Sequence, residues 1–179
     1  PQVVIVGRPN VGKSSLFNWL VGRRIAIVDP TSGVTRDRVT HLFEVDDRFV
    51  ELVDTGGMGV EDSDQLTEHI EHQIEQAIDS ATVILFVVDA REGPLPLDEE
   101  VAKRLRYVNV PVLLVANKAD TDSFAQHISE FYRFGRKLLA VSTKENRGRQ
   151  DLLQALVEKL PAPGDDDAVP DDPTMKANS

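Results

Sequence analysis

Gly7-Arg8-Pro9-Asn10-Val11-Gly12-Lys13-Ser14 matches the spacing G-x-x-x-x-G-K-[ST], and each fixed position has a chemical reason. Glycine lets backbone N–H groups curl round an anion without Cβ clashes. Lys13 brings positive charge to the β- and γ-phosphates of a nucleotide, and the Ser14 hydroxyl suits Mg²⁺. Gly7, Asn10, Val11, Gly12, Lys13, Ser14 and Ser15 are therefore the candidate phosphate-binding residues. The run leaves an apolar strand, Val3-Val4-Ile5-Val6, and enters a helical segment, Ser14 to Val21, whose positive end points at the same anion. The motif specifies a nucleoside triphosphate and leaves the base open.

Further segments in order along the chain narrow the chemistry. Asp54-Thr55-Gly56-Gly57 ends a second apolar run. Asp54 is placed to hold Mg²⁺ through water, and the Gly57 N–H to reach a γ-phosphate at close approach. Loss of that phosphate would release the loop beyond, a switch. Thr35, in Gly33-Val34-Thr35-Arg36-Asp37, is the candidate for a second hydroxyl on Mg²⁺, so the metal set is Ser14, Thr35 and Asp54. Asn117-Lys118-Ala119-Asp120 follows the strand Val112 to Ala116. A carboxylate at Asp120 can accept hydrogen bonds from guanine N1–H and N2–H. Adenine has no such donor pair and would leave the carboxylate unpaired. Asn117 can tie this turn to the phosphate loop, and the Lys118 stem can lie on the purine face. Backbone N–H groups of Ser142-Thr143-Lys144, after the next strand, can meet guanine O6.

The elements that must position these loops are legible as hydrophobic patterns. Continuous apolar runs at Val3–Val6, Val83–Val88, Val112–Val115 and Leu138–Val141 read as strands covered on both faces. Val39–Val45 and Arg48–Val53 flank Asp46-Asp47 and read as an antiparallel hairpin. Helical spacing recurs at Leu66, Ile70, Ile74, Ala77 and Ile78. It recurs again at Val101, Leu105 and Val108, and at Leu152, Leu153, Leu156, Val157 and Leu160. The fold class is α/β: a mainly parallel six-stranded sheet with one antiparallel strand and helices on both faces.

The chain has 179 residues and a formal net charge of −10. Residues 1–160 suit one domain. From 161 to 179 Pro, Asp, Gly and Ala dominate and periodicity stops, as in an acidic linker or tail without packed structure. An acidic body is not expected to bind nucleic acid through bulk electrostatics. There is no cysteine, which excludes disulfides and thiolate metal sites and agrees with a cytoplasmic protein. No apolar run reaches the roughly 20 residues of a membrane span. No signal-peptide pattern opens the chain, and its start at Pro1 without Met reads as processed or trimmed.

With these motifs in this order the chain resembles the first GTPase domain of the Der (EngA) family, TrmE-Era-EngA-like P-loop GTPases of bacterial ribosome assembly. The likeness is carried by residues 7–18, Gly22-Arg23-Arg24-Ile25-Ala26-Ile27-Val28, Gly33-Val34-Thr35-Arg36-Asp37 and Asp54-Thr55-Gly56-Gly57, and spans about residues 2 to 160. It implies a Ras-like G domain binding GTP and GDP with Mg²⁺, a cytoplasmic protein that acts on the large ribosomal subunit, and a second GTPase domain behind the acidic linker. Pro30 and Ser32 depart from the family wording, as do Trp19, which faces away from Leu16, Phe17, Leu20 and Val21 and is expected partly exposed, and Thr143.

Met58 stands where many GTPases carry a glutamine that orients water, and a thioether cannot do that. Hydrolysis then relies on phosphate positioning, Mg²⁺ and added positive charge, with Lys13, Asn10, Thr35 and Gly57 as catalytic candidates. The resemblance implies that Asn10 helps bind K⁺, with carbonyls between Asp29 and Gly33 as further ligands. The competing account of Asn10 is a side chain that only shapes the loop. Arg8, Arg23, Arg24 and Arg36 are arginine-finger candidates in principle, but each is more readily a solvated surface charge. His69 and His72 with Glu68 and Glu71 read as a solvated helix face, Arg133, Arg136 and Lys137 as a helix end, and Asp165–Asp167 as a spacer. Alternatives to a K⁺-stimulated GTPase are a nucleotide-binding regulatory module and the G domain of a related tRNA-modification GTPase.

Overall fold

A computed structural model describes residues 1–22, 39–55, 63–120 and 123–162. The elements run β1 (Gln2–Val6), α1 (Lys13–Val21), β2 (Val39–Val45), β3 (Arg48–Asp54), α2 (Ser63–Ser80), β4 (Val83–Asp89), α3 (Pro96–Leu105), β5 (Val112–Asn117), α4 (Ser123–Tyr132), β6 (Leu138–Ala140) and α5 (Arg149–Lys159). The strands form one sheet in the order β2-β3-β1-β4-β5-β6, with β2 antiparallel to β3 and every other pairing parallel. This is the expected fold class.

The apolar runs become strands because both faces of each are covered. In β1, Val3 and Ile5 join Leu16, Phe17 and Leu20 of α1 and Leu152 and Leu156 of α5. Val4 and Val6 join Ile70 and Ile74 of α2, Val101 and Leu105 of α3 and Phe131 of α4 on the other face. Alternate side chains of a strand point to opposite faces, so two helical layers need an unbroken apolar run between them. The hairpin turns at Asp46 and Asp47, whose φ values of 52° and 60° suit the primed turn that matches strand twist.

Three details differ from the pattern reading. Ile78 lies on α2 but is 44% exposed, just past the stripe formed by Ile70, Ile74 and Ala77. Val108 falls beyond α3, which ends at Leu105. Helix α4, which carries the fully buried Phe131, had no place in the periodicity reading. The Leu66 side chain and residues 163–179 lie outside the described residues.

The chain leaves β1 for β2 and β3 on one side of it and then crosses through α2 to β4 on the other, so the strand order reverses at β1. In such sheets the crevice outside the carboxyl ends of the strands is where ligands bind. The phosphate loop, Asp54, Asp89, Asn117 and the Ser142 loop all follow strands into that end.

Candidate nucleotide site

The loop between β1 and α1 turns through Asn10 at φ 70° and Gly12 at φ 90°. Gly12 caps α1 without a side-chain hydrogen bond, and the first turn holds no acidic residue, so the helix presents positive potential there. Gly12 also answers to a close approach: a Cβ on it would stand 2.4 Å from Asn117 Nδ2. At Gly7 a Cβ would meet the Val87 carbonyl at 2.7 Å. Lys13 is buried, and its Nζ donates to the carbonyls of Gly7 at 2.9 Å and Arg8 at 2.8 Å, so the side chain arches back over its own loop. Burial pushes its ammonium down from 10.5 to about 8, with Asp54 pulling it back up, Arg8 pressing it down and Asp98 raising it.

Across the loop the Ser14 hydroxyl donates to Asp54 Oδ2 at 3.2 Å. Asp54 ends β3 and is buried, and the next residue, Thr55, fastens that strand end to β1 by donating its hydroxyl to the Ile5 carbonyl at 2.8 Å. A hydroxyl and a carboxylate converging beside the loop fit an oxygen-loving divalent cation. Thr35, Gly57, Met58, the Asp29–Gly33 carbonyls, Arg23, Arg24 and Arg36 lie outside the described residues.

The base-reading turn lies against the same loop. Asn117 Nδ2 donates to the Val11 carbonyl at 3.2 Å, while its Oδ1 accepts the Lys118 N–H at 2.8 Å. Lys118 Nζ reaches the Asn10 carbonyl at 2.8 Å. Gly12, Ser15, Asn117, Lys118, Asp120, Thr143 and Lys144, together with Arg91, line one cavity of about 230 Å³. Phosphate-loop and base-loop residues 106 positions apart in sequence are thus in direct contact. Within the Ser142-Thr143-Lys144 loop the tasks divide. Thr143 and Lys144 face the cavity, whereas the buried Ser142 gives its amide to Arg147 O at 3.0 Å and its hydroxyl accepts the Glu145 N–H at 3.0 Å. Ser142 shapes the turn, and its amide is unavailable to a base.

Arg8 corrects an expectation. It is neither a solvated charge nor poised as a finger: it is 7% exposed and its guanidinium pairs with Asp98 at 3.2 Å and Glu92 at 3.0 Å. Asp98, three residues into α3 after the Pro96 start, also accepts the Leu95 N–H at 2.9 Å and so caps the helix. Burial raises the Asp98 carboxyl above its ordinary value, against the Leu95 N–H and Arg8, which lower it. Trp19 is half-buried, and its indole N–H donates to Asn146 Oδ1 at 2.8 Å. Among the solvated groups, Glu71 pairs with Arg104, Arg133 pairs with Glu99, and Arg136 donates to the Leu105 carbonyl at 2.9 Å.

Sequence reasoning missed Asp89, Arg91, Glu92 and Asp98. The available signal was an acid ending the apolar run Val83–Val88 and an acid three residues after Leu95 at a proline-started helix.

Residues 2–118 match the family of 50S ribosome-binding GTPases. The chain is 60% identical over 98% of its length to the GTPase Der of Rhodopirellula baltica and 47% identical over 96% to that of Pelotomaculum thermopropionicum; in each case it covers 39% of the relative. It therefore spans about two fifths of the length of these curated relatives. Among solved structures, a single-residue variant of Aquifex aeolicus Era bound to GDP·AlF4⁻ is similar with a TM-score of 0.73 and 30% identity, over 91% of this chain and 57% of that one. Another Era structure, in complex with MgGDPNP and nucleotides 1506–1542 of 16S ribosomal RNA, has a TM-score of 0.73 and 30% identity over 96% of this chain and 59% of that one.

Proposed function

We propose a cycle of GTP binding and hydrolysis for this chain, which belongs to the family of 50S ribosome-binding GTPases. The observation that carries the reading is the direct contact of the two loops: Asn117 bridges to the Val11 carbonyl, and Gly12 and Asp120 line the same cavity. The triphosphate lies against the amides from Gly7 to Ser14 and the start of α1. Lys13 exchanges the Gly7 and Arg8 carbonyls for phosphate oxygens, which offer its ammonium an anionic partner. Asp120 accepts from the guanine edge, the Lys118 stem lies under the ring, and O6 is served by the Lys144 amide and by the Thr143 amide, which exchanges its long 3.4 Å bond to Asn117 Oδ1 for the base. Ser14, Asp54 and Thr35 are the residues to hold Mg²⁺. When bound, Mg²⁺ neutralises charge developing on the phosphate oxygens. The products are GDP and phosphate. By likeness to the Der relatives, the whole protein to which this stretch corresponds serves large-subunit assembly in the cytoplasm.

Calorimetry with GTP, GDP and ATP on the chain and on Asp120→Asn tests the base reader. The substitution is expected to weaken GDP about 10- to 100-fold, the cost of a mismatched polar pair, and to improve xanthosine diphosphate, because the amide offers a donor. Undiminished GTP selectivity would remove Asp120 from that role.

With Met58 after the Gly57 position, added positive charge at the phosphates falls to K⁺ beside Asn10. Phosphate release at matched ionic strength is expected to be faster in KCl than in NaCl. Equal rates would leave Asn10 as a loop-shaping residue, for which its φ of 70° is already sufficient reason. Met58 also supports a second reading, a regulatory module that holds nucleotide. Single-turnover release no faster than buffer, with K⁺ present, would favour it.

A further inference from the structure

Asp89 closes β4 in register with Asn117 of β5, and it is 0% exposed. A buried carboxylate needs both charge partners and hydrogen bonds. Its two oxygens serve different groups. Oδ1 accepts the Arg91 N–H at 2.8 Å, a turn that carries the chain out of the strand. Oδ2 faces the Lys118 ammonium at 3.2 Å, with an Arg91 guanidinium nitrogen at 3.5 Å. The same ammonium donates to the Asn10 carbonyl at 2.8 Å, and Lys118 Cε passes 3.7 Å from the place of a Gly12 Cβ. The lysine stem therefore crosses from the base-reading turn to the phosphate loop along one wall of the cavity.

We propose that Asp89 is a positioning residue of the nucleotide site: its carboxylate holds the Lys118 ammonium on the Asn10 carbonyl, so the stem stays stretched beneath the purine and the two loops stay clasped. This deepens the guanine-nucleotide reading and rests on it. A lysine stem is flexible and its ammonium strongly hydrated, so one backbone acceptor does not hold it. A second acceptor carrying full charge, buried at the end of a rigid strand, does. Burial pushes the Asp89 carboxyl up, yet the Arg91 backbone and guanidinium together with Lys118 bring it below its ordinary value, so it is ionised at neutral pH.

Titration of the 179-residue chain with GDP compares wild type, Asp89→Asn, Lys118→Met and the double variant. Asparagine keeps an oxygen for the Arg91 N–H and loses the charge; methionine keeps an apolar stem and loses the ammonium. Asp89→Asn is expected to weaken GDP about tenfold, mainly through faster dissociation. In the Lys118→Met background the same change is expected to matter less than about twofold, because the pair is already broken. Asp89→Ser, whose hydroxyl still supports the turn, provides a second neutral variant with the same expected pattern. Equal losses in both backgrounds would make Asp89 a general fold residue, and unchanged affinity in Asp89→Asn would leave the Asn10 carbonyl as sufficient anchor. Either result overturns the clasp while guanine binding stands. A wild-type chain that takes ATP as readily as GDP, or neither, overturns the guanine reading and the clasp together.

Discussion

Gly12 is the residue where the two halves of the site touch. Its φ of 90° is left-handed, and a Cβ there would meet Asn117 Nδ2 at 2.4 Å. Gly22 has a similar φ of 78° with nothing within 4 Å of a Cβ, so the pair separates backbone strain from collision. Gly22→Ala is expected to cost about 1 kcal/mol of stability, the strain alone, with nucleotide affinity unchanged. Gly12→Ala is expected to cost about 1–3 kcal/mol and to weaken GDP at least about tenfold, since Asn117 must leave Val11 to make room. Urea denaturation and calorimetry read the two quantities. Equal affinity losses in both variants would show that strain, and not the Asn117 contact, governs the loop.

Among the elements, the hairpin between β2 and β3 was legible down to its turn, because Asp46-Asp47 interrupts two alternating runs. Glycine suits the second left-handed position of such a turn better than aspartate does. Asp47→Gly is therefore expected to raise stability by about 0.5–1 kcal/mol, measured by chemical denaturation. A loss would mean that the Asp47 side chain holds the turn in a way its backbone angle does not reveal. Helix α4 was passed over. It is 10 residues long, and Phe124, Ile128 and Phe131 stand at helical spacing within it, while part of the cluster it joins comes from Phe134, beyond its end. Phe131 and Phe134 meet edge-on at 6.4 Å, and Phe134 stacks on Phe86 of β4 at 5.9 Å.

For the whole molecule, one ligand would engage loops drawn from β1, β3, β5 and β6 and tie their strand ends together. Ligand that binds only the folded state stabilises it by about 2.7 kcal/mol at a concentration 100 times its Kd. For a domain of this size each kcal/mol moves the midpoint by about 2–4 °C. GDP with Mg²⁺ is thus expected to raise the thermal midpoint by roughly 5–10 °C, and ATP at the same concentration to leave it in place. Scanning fluorimetry reads both, and a matching rise with ATP would contradict guanine selection.

The sequence by itself determined which chemical groups are present and which loops carry them. Strand, loop and helix signals are local, and glycine, lysine, hydroxyl and carboxylate keep their chemistry wherever they sit. Tertiary structure alone decided the partners. Arg8 meets Asp98, 90 residues away, and Asp89 meets Lys118 only because the sheet places β4 between β1 and β5 in one register. The pairing of a buried charge is set by the distance and exposure that strand order imposes, and no local spacing contains that information.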